Sequence, residues 1–119
     1  MSNPYGAPEI TVKQVDDKRK NGDAFVWLDV REAEEVATVR IDDARIQLSP
    51  LSELADRQLA ALPVAAQDPK AEIVVFCHHG MRSAQVTAWL RQQGWQNVTN
   101  MTGGIGAWAA EIDPTIGTY

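Results

Sequence analysis

The residues best suited to chemistry lie in one heptapeptide, Cys77-His78-His79-Gly80-Met81-Arg82-Ser83. It holds the chain's single cysteine, both of its histidines and an arginine that keeps its charge. Ile73-Val74-Val75-Phe76 stands before it, and that β-branched, aromatic-ended run predicts a buried strand. Residues 83–93 predict a helix, with Ser83 as N-cap and Gly94 as the left-handed residue that ends it. The sulfur then belongs at a strand-to-helix junction, the usual ligand crevice of a parallel sheet. Amides at a helix start have no partner within the helix, and the helix dipole adds partial positive charge. Such a junction stabilises a thiolate and any anionic group carried on it. Gly80 lets the loop turn tightly. Arg82 supplies fixed positive charge, while His78 and His79 supply donors whose charge depends on pH. A lone cysteine after an apolar strand is ordinarily a small buried hydrophobe. A cysteine of that kind has no use for two histidines, a glycine and an arginine within the next five residues, so the reactive reading is preferred.

The rest of the chain must position that loop. Glu9-Ile10 reads as a short strand or an extended entry. Thr11 and Gln14 form a capping box for a helix with Val12 and Val15 on its apolar face, and Gly22 stops it. Phe25-Val26-Trp27-Leu28 reads as a strand covered on both sides. Asp29 to Glu32 then lies at its C-terminal end, on the sheet edge that carries Cys77. Residues 32–39 read as a short helix, with Arg31 and Glu35 spaced to pair. Ile46 to Leu48 is a further strand. Ser49 as N-cap and Pro50 at the first helical position open a helix. Its Leu51, Leu54, Leu59 and Leu62 face the core, and Pro63 ends it. Residues 63–71 form a connector, and residues 97–101 the last strand. Gly103-Gly104 turns the chain into a short helix ending near Ala110. Trp27 and Trp108 belong in the core and Trp95 near the surface. Strands alternate with helices, which argues a parallel sheet with helices on both faces. The expected organisation is one domain over residues 1–119, with a flexible lead at 1–8 and an extended tail at 111–119.

Cys77 through Ser83, together with Gly103-Gly104-Ile105-Gly106-Ala107-Trp108, resembles the rhodanese-like sulfurtransferase family. Leu28-Asp29-Val30-Arg31-Glu32 is similar to the family's other signature, and the three stretches lie in family order. The resemblance implies a three-layer α/β/α domain around a central, mainly parallel five-stranded sheet. It implies that Cys77 is catalytic and carries a sulfane sulfur as a persulfide. His78, His79, Gly80, Met81, Arg82 and Ser83 would form the cradle, with Asp29 and Arg31 in support. A small anionic donor, thiosulfate or a persulfide, would load Cys77. Cyanide, a thiol or a protein would accept the sulfur, without metal or organic cofactor. Val39-Arg40-Ile41-Asp42-Asp43-Ala44 departs from the family's Gly-His-Ile-x-Gly-Ala and lacks both glycines and the histidine. Asp tolerates left-handed backbone, so Asp43 is the natural replacement for the second glycine.

Bulk properties narrow the function. At 119 residues and 45% hydrophobic content there is room for one domain with a proper core. A net charge of −5 argues against nucleic-acid partners, which need a basic face. No apolar run approaches the ~20 residues of a membrane span. Met1 to Gly6 has neither the basic nor the apolar region of a secretion signal. One cysteine allows no internal disulfide and no cysteine-based zinc site, and the expected compartment is the cytoplasm. The first rival reading is a cysteine-dependent phosphatase or arsenate reductase, whose anion loop is also closed by arginine. Those loops hold one residue more than the four between Cys77 and Arg82. The second is a rhodanese-like binding module, which typically lacks the cysteine. A purely oxidant-sensing thiol is a third, and nothing in the sequence favours it.

Overall fold

A computed structural model describes residues 3–119. Residues 1–2 of the expected lead lie outside the described residues. Five short stretches form strands: β1 (Glu9–Ile10), β2 (Val26–Asp29), β3 (Ile46–Leu48), β4 (Ile73–Phe76) and β5 (Val98–Met101). They make one sheet in the order β1-β5-β4-β2-β3. Every pairing is parallel. The helices are α1 (Val12–Lys20), α2 (Ala33–Thr38), α3 (Leu51–Arg57), α4 (Met81–Gln92) and α5 (Gly104–Glu111).

The two-residue period of a strand sends alternate side chains to opposite faces. Leu28, Ile73 and Val75 pack with Leu54 of α3 and with Val86 and Leu90 of α4. Trp27, Val74 and Phe76 pack with Val12 and Val15 of α1 and with Ile105 and Trp108 of α5. The fold is therefore the three-layer α/β/α arrangement that the sequence implied. All four side chains of the central β4 are buried. Asp29 stands in register with Phe76, so β2 and β4 deliver their motifs side by side at one edge. The capping box of α1 forms as read, with the Gln14 amide donating to Thr11 Oγ1 over 3.1 Å.

Several boundaries differ from expectation. Ser83 does not cap α4. Gly80, at φ +100°, takes that place, and the helix starts at Met81. Ser49 does not cap α3 either. Pro50 is the cap residue, and the buried Ser49 hydroxyl has no partner. The helix expected to reach Pro63 ends at Arg57, where Gln58 turns to φ +58°. A continuous helix would set Leu54 and Leu59 roughly 140° apart. The break and the 3-10 turn over Gln58–Ala61 bring Leu54, Leu59 and Leu62 onto one core. Asp43 does not adopt left-handed backbone, for Gln58 is the one non-glycine with positive φ among the described residues. The Asp43 carboxylate instead accepts the Arg45 amide (3.0 Å), closing a turn that needs no glycine. Trp95 is buried rather than superficial, because its indole N–H donates to Ala66 O (2.9 Å) beneath the connector. The tail is not extended. Asp113 caps a 3-10 turn over Pro114–Ile116, Gly117 reverses the chain, and Tyr119 comes back over the sheet edge.

Candidate active site

Cys77 follows directly on β4 and is 1% exposed. Its Sγ accepts from the Gly80 amide (3.1 Å) and the Ser83 amide (3.4 Å). The chain can wrap around the sulfur in this way because Gly80 occupies a conformation that L side chains avoid. The outer side of the loop is held by α5. Ile105 N–H donates to Cys77 O (2.9 Å) and Gly106 N–H to His78 O (3.0 Å). That approach requires Gly104, since a Cβ there would lie 2.4 Å from Cys77 O and 2.6 Å from His78 O. The glycine pair thus lets one helix terminus donate to the loop carbonyls while the loop amides stay turned toward sulfur.

A polar network lies beneath. The Ser83 hydroxyl is 3.3 Å from Cys77 Sγ and 2.5 Å from Asn100 Oδ1. Asn100 Nδ2 donates to Gly80 O (3.0 Å) and to Glu9 Oε2 (2.8 Å). Those two acceptors fix the amide, so its oxygen must face Ser83. Ser83 has a single proton. The shorter contact takes it, leaving a serine lone pair toward the resting thiol. When the sulfur is anionic, the hydroxyl can rotate and donate to it instead.

Charge around the loop is paired. The Arg82 guanidinium grips Glu35 through Nη1–Oε2 (2.7 Å) and Nη2–Oε1 (2.8 Å). The buried Arg31 binds both Asp29 oxygens, at 3.0–3.2 Å from Nε and 2.8 Å from Nη2, and Val39 O at 2.8 Å. Tyr119 joins the two pairs: its hydroxyl accepts from Arg31 Nη1 (3.1 Å) and donates to Glu35 Oε1 (2.9 Å). The tyrosine ring stacks on His78 at 3.8 Å, and His78 stacks on His79 at the same distance. The Arg82 hydrogen bonds hold the Glu35 carboxyl down at about 2, against the opposing effect of burial. Arg82 is raised in turn, chiefly by Glu35. Burial lowers His78, helped by the neighbouring His79 and opposed by Glu35. Burial raises the Tyr119 phenol.

The structure brings Cys77, Gly80 and Ser83 into contact at the sulfur. Arg82 flanks the loop and turns to Glu35, Met81 is exposed on the rim, and His78 and His79 line a cleft with Gly106 and Tyr119. Asp29 and Arg31 form the buried pair under the same edge. The expected Arg31–Glu35 side-chain pair does not form, because Asp29 already engages the Arg31 fork and Glu35 faces Arg82. Sequence reasoning missed Glu9, Glu35, Asn100 and Tyr119 as parts of the site. Asn100 left one signal, a carboxamide in a strand otherwise suited to the core. Tyr119 left none.

A family model described as a rhodanese-like domain matches residues 11–111. A sulfurtransferase of Allochromatium vinosum is 32% identical over 110 residues, covering 91% of this chain and 94% of that protein. The rhodanese-like/PpiC domain-containing protein 12 of Arabidopsis thaliana is 46% identical over 52 residues, which is 44% of this chain and 17% of that protein. The human single-domain sulfurtransferase TSTD1 superposes with a TM-score of 0.71 at 27% identity, covering 89% of this chain and 98% of that one. The chain spans between 17% and 26% of the length of the first curated relatives it matches.

Proposed function

The chain belongs to the rhodanese-like domain family, and from that premise we propose that it is a sulfurtransferase working through a persulfide on Cys77. The observation that carries this is the seat of the sulfur. Cys77 Sγ, the chain's only thiol, is held by the Gly80 and Ser83 amides where α4 begins. Those amides can stabilise an anionic sulfur without reorganising.

Two half-reactions follow. The Cys77 thiolate attacks the outer sulfur of the donor, and the donor's remainder leaves with the electron pair of the broken bond. A nucleophilic acceptor then attacks the outer sulfur of the persulfide and regenerates the thiolate. The kinetics are ping-pong. His78, His79, Met81 and Arg82 form the rim that donor and acceptor meet, while Asp29 and Arg31 hold the edge rigid. Residues 1–119 act as one such domain. A lone reactive thiol suits a reducing compartment, the cytoplasm. Among the described residues no helix is long and apolar enough to cross a membrane.

Intact mass after incubation with thiosulfate, and separately with a low-molecular-weight persulfide, tests the reading. Cys77 should gain one sulfur atom and lose it on addition of cyanide or a dithiol. Cys77→Ser should fold and gain nothing, because no other residue can store the sulfur. An aryl phosphate should turn over negligibly. Efficient phosphate hydrolysis with no adduct from any donor would replace this reading with the phosphatase one.

A further inference from the structure

The charges beside the sulfur speak to which donors it accepts. Two arginines approach the loop edge, and each is matched by a carboxylate: Arg31 by Asp29 and Arg82 by Glu35. The four formal charges sum to zero. Both terminal nitrogens of Arg82 point at Glu35 oxygens. Glu35 is itself fixed, because its Oε2 also accepts the Glu32 amide (2.9 Å) in the capping box of α2, and its Oε1 accepts the Tyr119 hydroxyl. Burial and His79 hold His78 toward its neutral form. No unpaired fixed charge remains for an incoming anion, which meets loop dipoles such as the Gly80 and Ser83 amides at Cys77 Sγ.

Resting on the sulfurtransferase reading, we propose that Glu35 is a specificity-determining residue: by occupying Arg82 it leaves the loop without an unpaired fixed cation, so the site prefers sulfur donors with one negative charge to thiosulfate, which has two. The chemistry is the same for both classes. With thiosulfate, the Cys77 thiolate bonds to the outer sulfur, the S–S bond breaks, and sulfite leaves with its electron pair and two charges. With an arylthiosulfonate an arylsulfinate leaves with one charge, and with an organic persulfide a thiolate leaves with one. The products carry the same total charge as the reactants in each case, and no oxidant or reductant is needed. The difference lies in bringing a second charge out of water beside a thiolate. That costs most where no unpaired cation meets it.

Thiosulfate and benzenethiosulfonate form the discriminating pair, since both present a sulfane sulfur on a sulfonyl group and differ in one substituent, an anionic oxygen in the first and a neutral phenyl ring in the second. The change of their ratio in a Glu35 variant isolates the charge. Loading of Cys77 is followed by intact mass, and kcat/KM for each donor is measured with cyanide as acceptor. The parent protein should use benzenethiosulfonate at least roughly ten-fold better, the scale of one charge-assisted contact withheld from thiosulfate. Glu35→Gln keeps an acceptor oxygen for the Glu32 amide and removes the charge. In that variant the thiosulfate-to-thiosulfonate ratio should rise about ten-fold. A parent that takes thiosulfate as well as the thiosulfonate overturns the proposal, as does an unchanged ratio in Glu35→Gln. If the variant fails to fold, the parent's donor ratio alone decides. Loading by thiosulfate in preference leaves the sulfurtransferase reading standing and removes this one. No adduct from either donor removes both.

Discussion

One proton on Ser83 links the sulfur to the scaffold. The hydroxyl oxygen lies 3.3 Å from Cys77 Sγ and 2.5 Å from Asn100 Oδ1, and Asn100 is committed elsewhere to Gly80 O and Glu9. Removing either partner strands the other in a buried place, at a cost of about 1–3 kcal/mol. Asn100→Leu should lose that amount by removing the near acceptor of the Ser83 hydroxyl and one of the two donors to Gly80 O, which then keeps only the Ala84 amide (3.2 Å). Ser83→Ala should lose a similar amount by leaving Asn100 Oδ1 bare. Because each single change already breaks the shared bond, the double variant should be less destabilised than the sum of the two, by more than ~0.5 kcal/mol. Urea unfolding of the four proteins reads this directly, and strict additivity would show that the short contact carries no energy. The candidate site was legible in the sequence as residue types: a thiol, an arginine and a glycine in one heptapeptide. Their partners were not. Arg82 meets Glu35 across 47 positions and Tyr119 meets Glu35 across 84, separations that no local pattern encodes.

At the scale of elements, the loop is only as well placed as the helix start that backs it. Gly104 sits at φ +59° with two carbonyl carriers of the loop in the space a side chain would need. Gly104→Ala must either push α5 off the loop or break the Ile105–Cys77 and Gly106–His78 bonds. The expected loss is more than ~3 kcal/mol, with Cys77 becoming faster to alkylate as its cradle opens. Gly22 makes the control. Its φ is +74°, and nothing lies within 4 Å of an added Cβ. Gly22→Ala should therefore cost only the ~1–2 kcal/mol of a left-handed L residue, with unchanged alkylation. Equal losses in the two variants would mean that the glycine pair serves backbone conformation alone. Strands were the legible elements here, since residues 25–28 and 73–76 are unbroken apolar runs that only a doubly covered sheet can use. Helix ends were less legible. Ser83 and Ser49 are good caps by type, yet Gly80 and Pro50 hold the cap positions, because the wrap around sulfur and the β3–α3 turn decide where each helix begins.

For the molecule as a whole, acid is the condition under which the C-terminal tail and the candidate site share a fate. The tail reaches the loop through Tyr119, and α2 reaches it through Glu35, so the Arg82–Glu35 pair fastens three separate segments. Burial lowers His78 from the ordinary histidine value of 6.5. The unfolded chain therefore binds the proton first, and its contribution to stability fades as pH falls from 6.5 toward the lower folded value. Glu35 acts further down. Its folded value is about 2 against 4.5 unfolded, so the stability it supplies is complete above 4.5 and drains away as pH falls toward 2. A difference of that size, discounted for screening at a side chain 21% exposed, amounts to about 1–2 kcal/mol. Glu35→Gln has no such charge to lose. Its stability deficit relative to the parent should be full at pH ~5.5 and shrink by roughly half or more at pH ~3, since the parent has by then surrendered part of the same contribution. Urea unfolding at the two pH values measures the deficit. A deficit that stays constant or grows as pH falls would show that the ion pair does not fasten these segments.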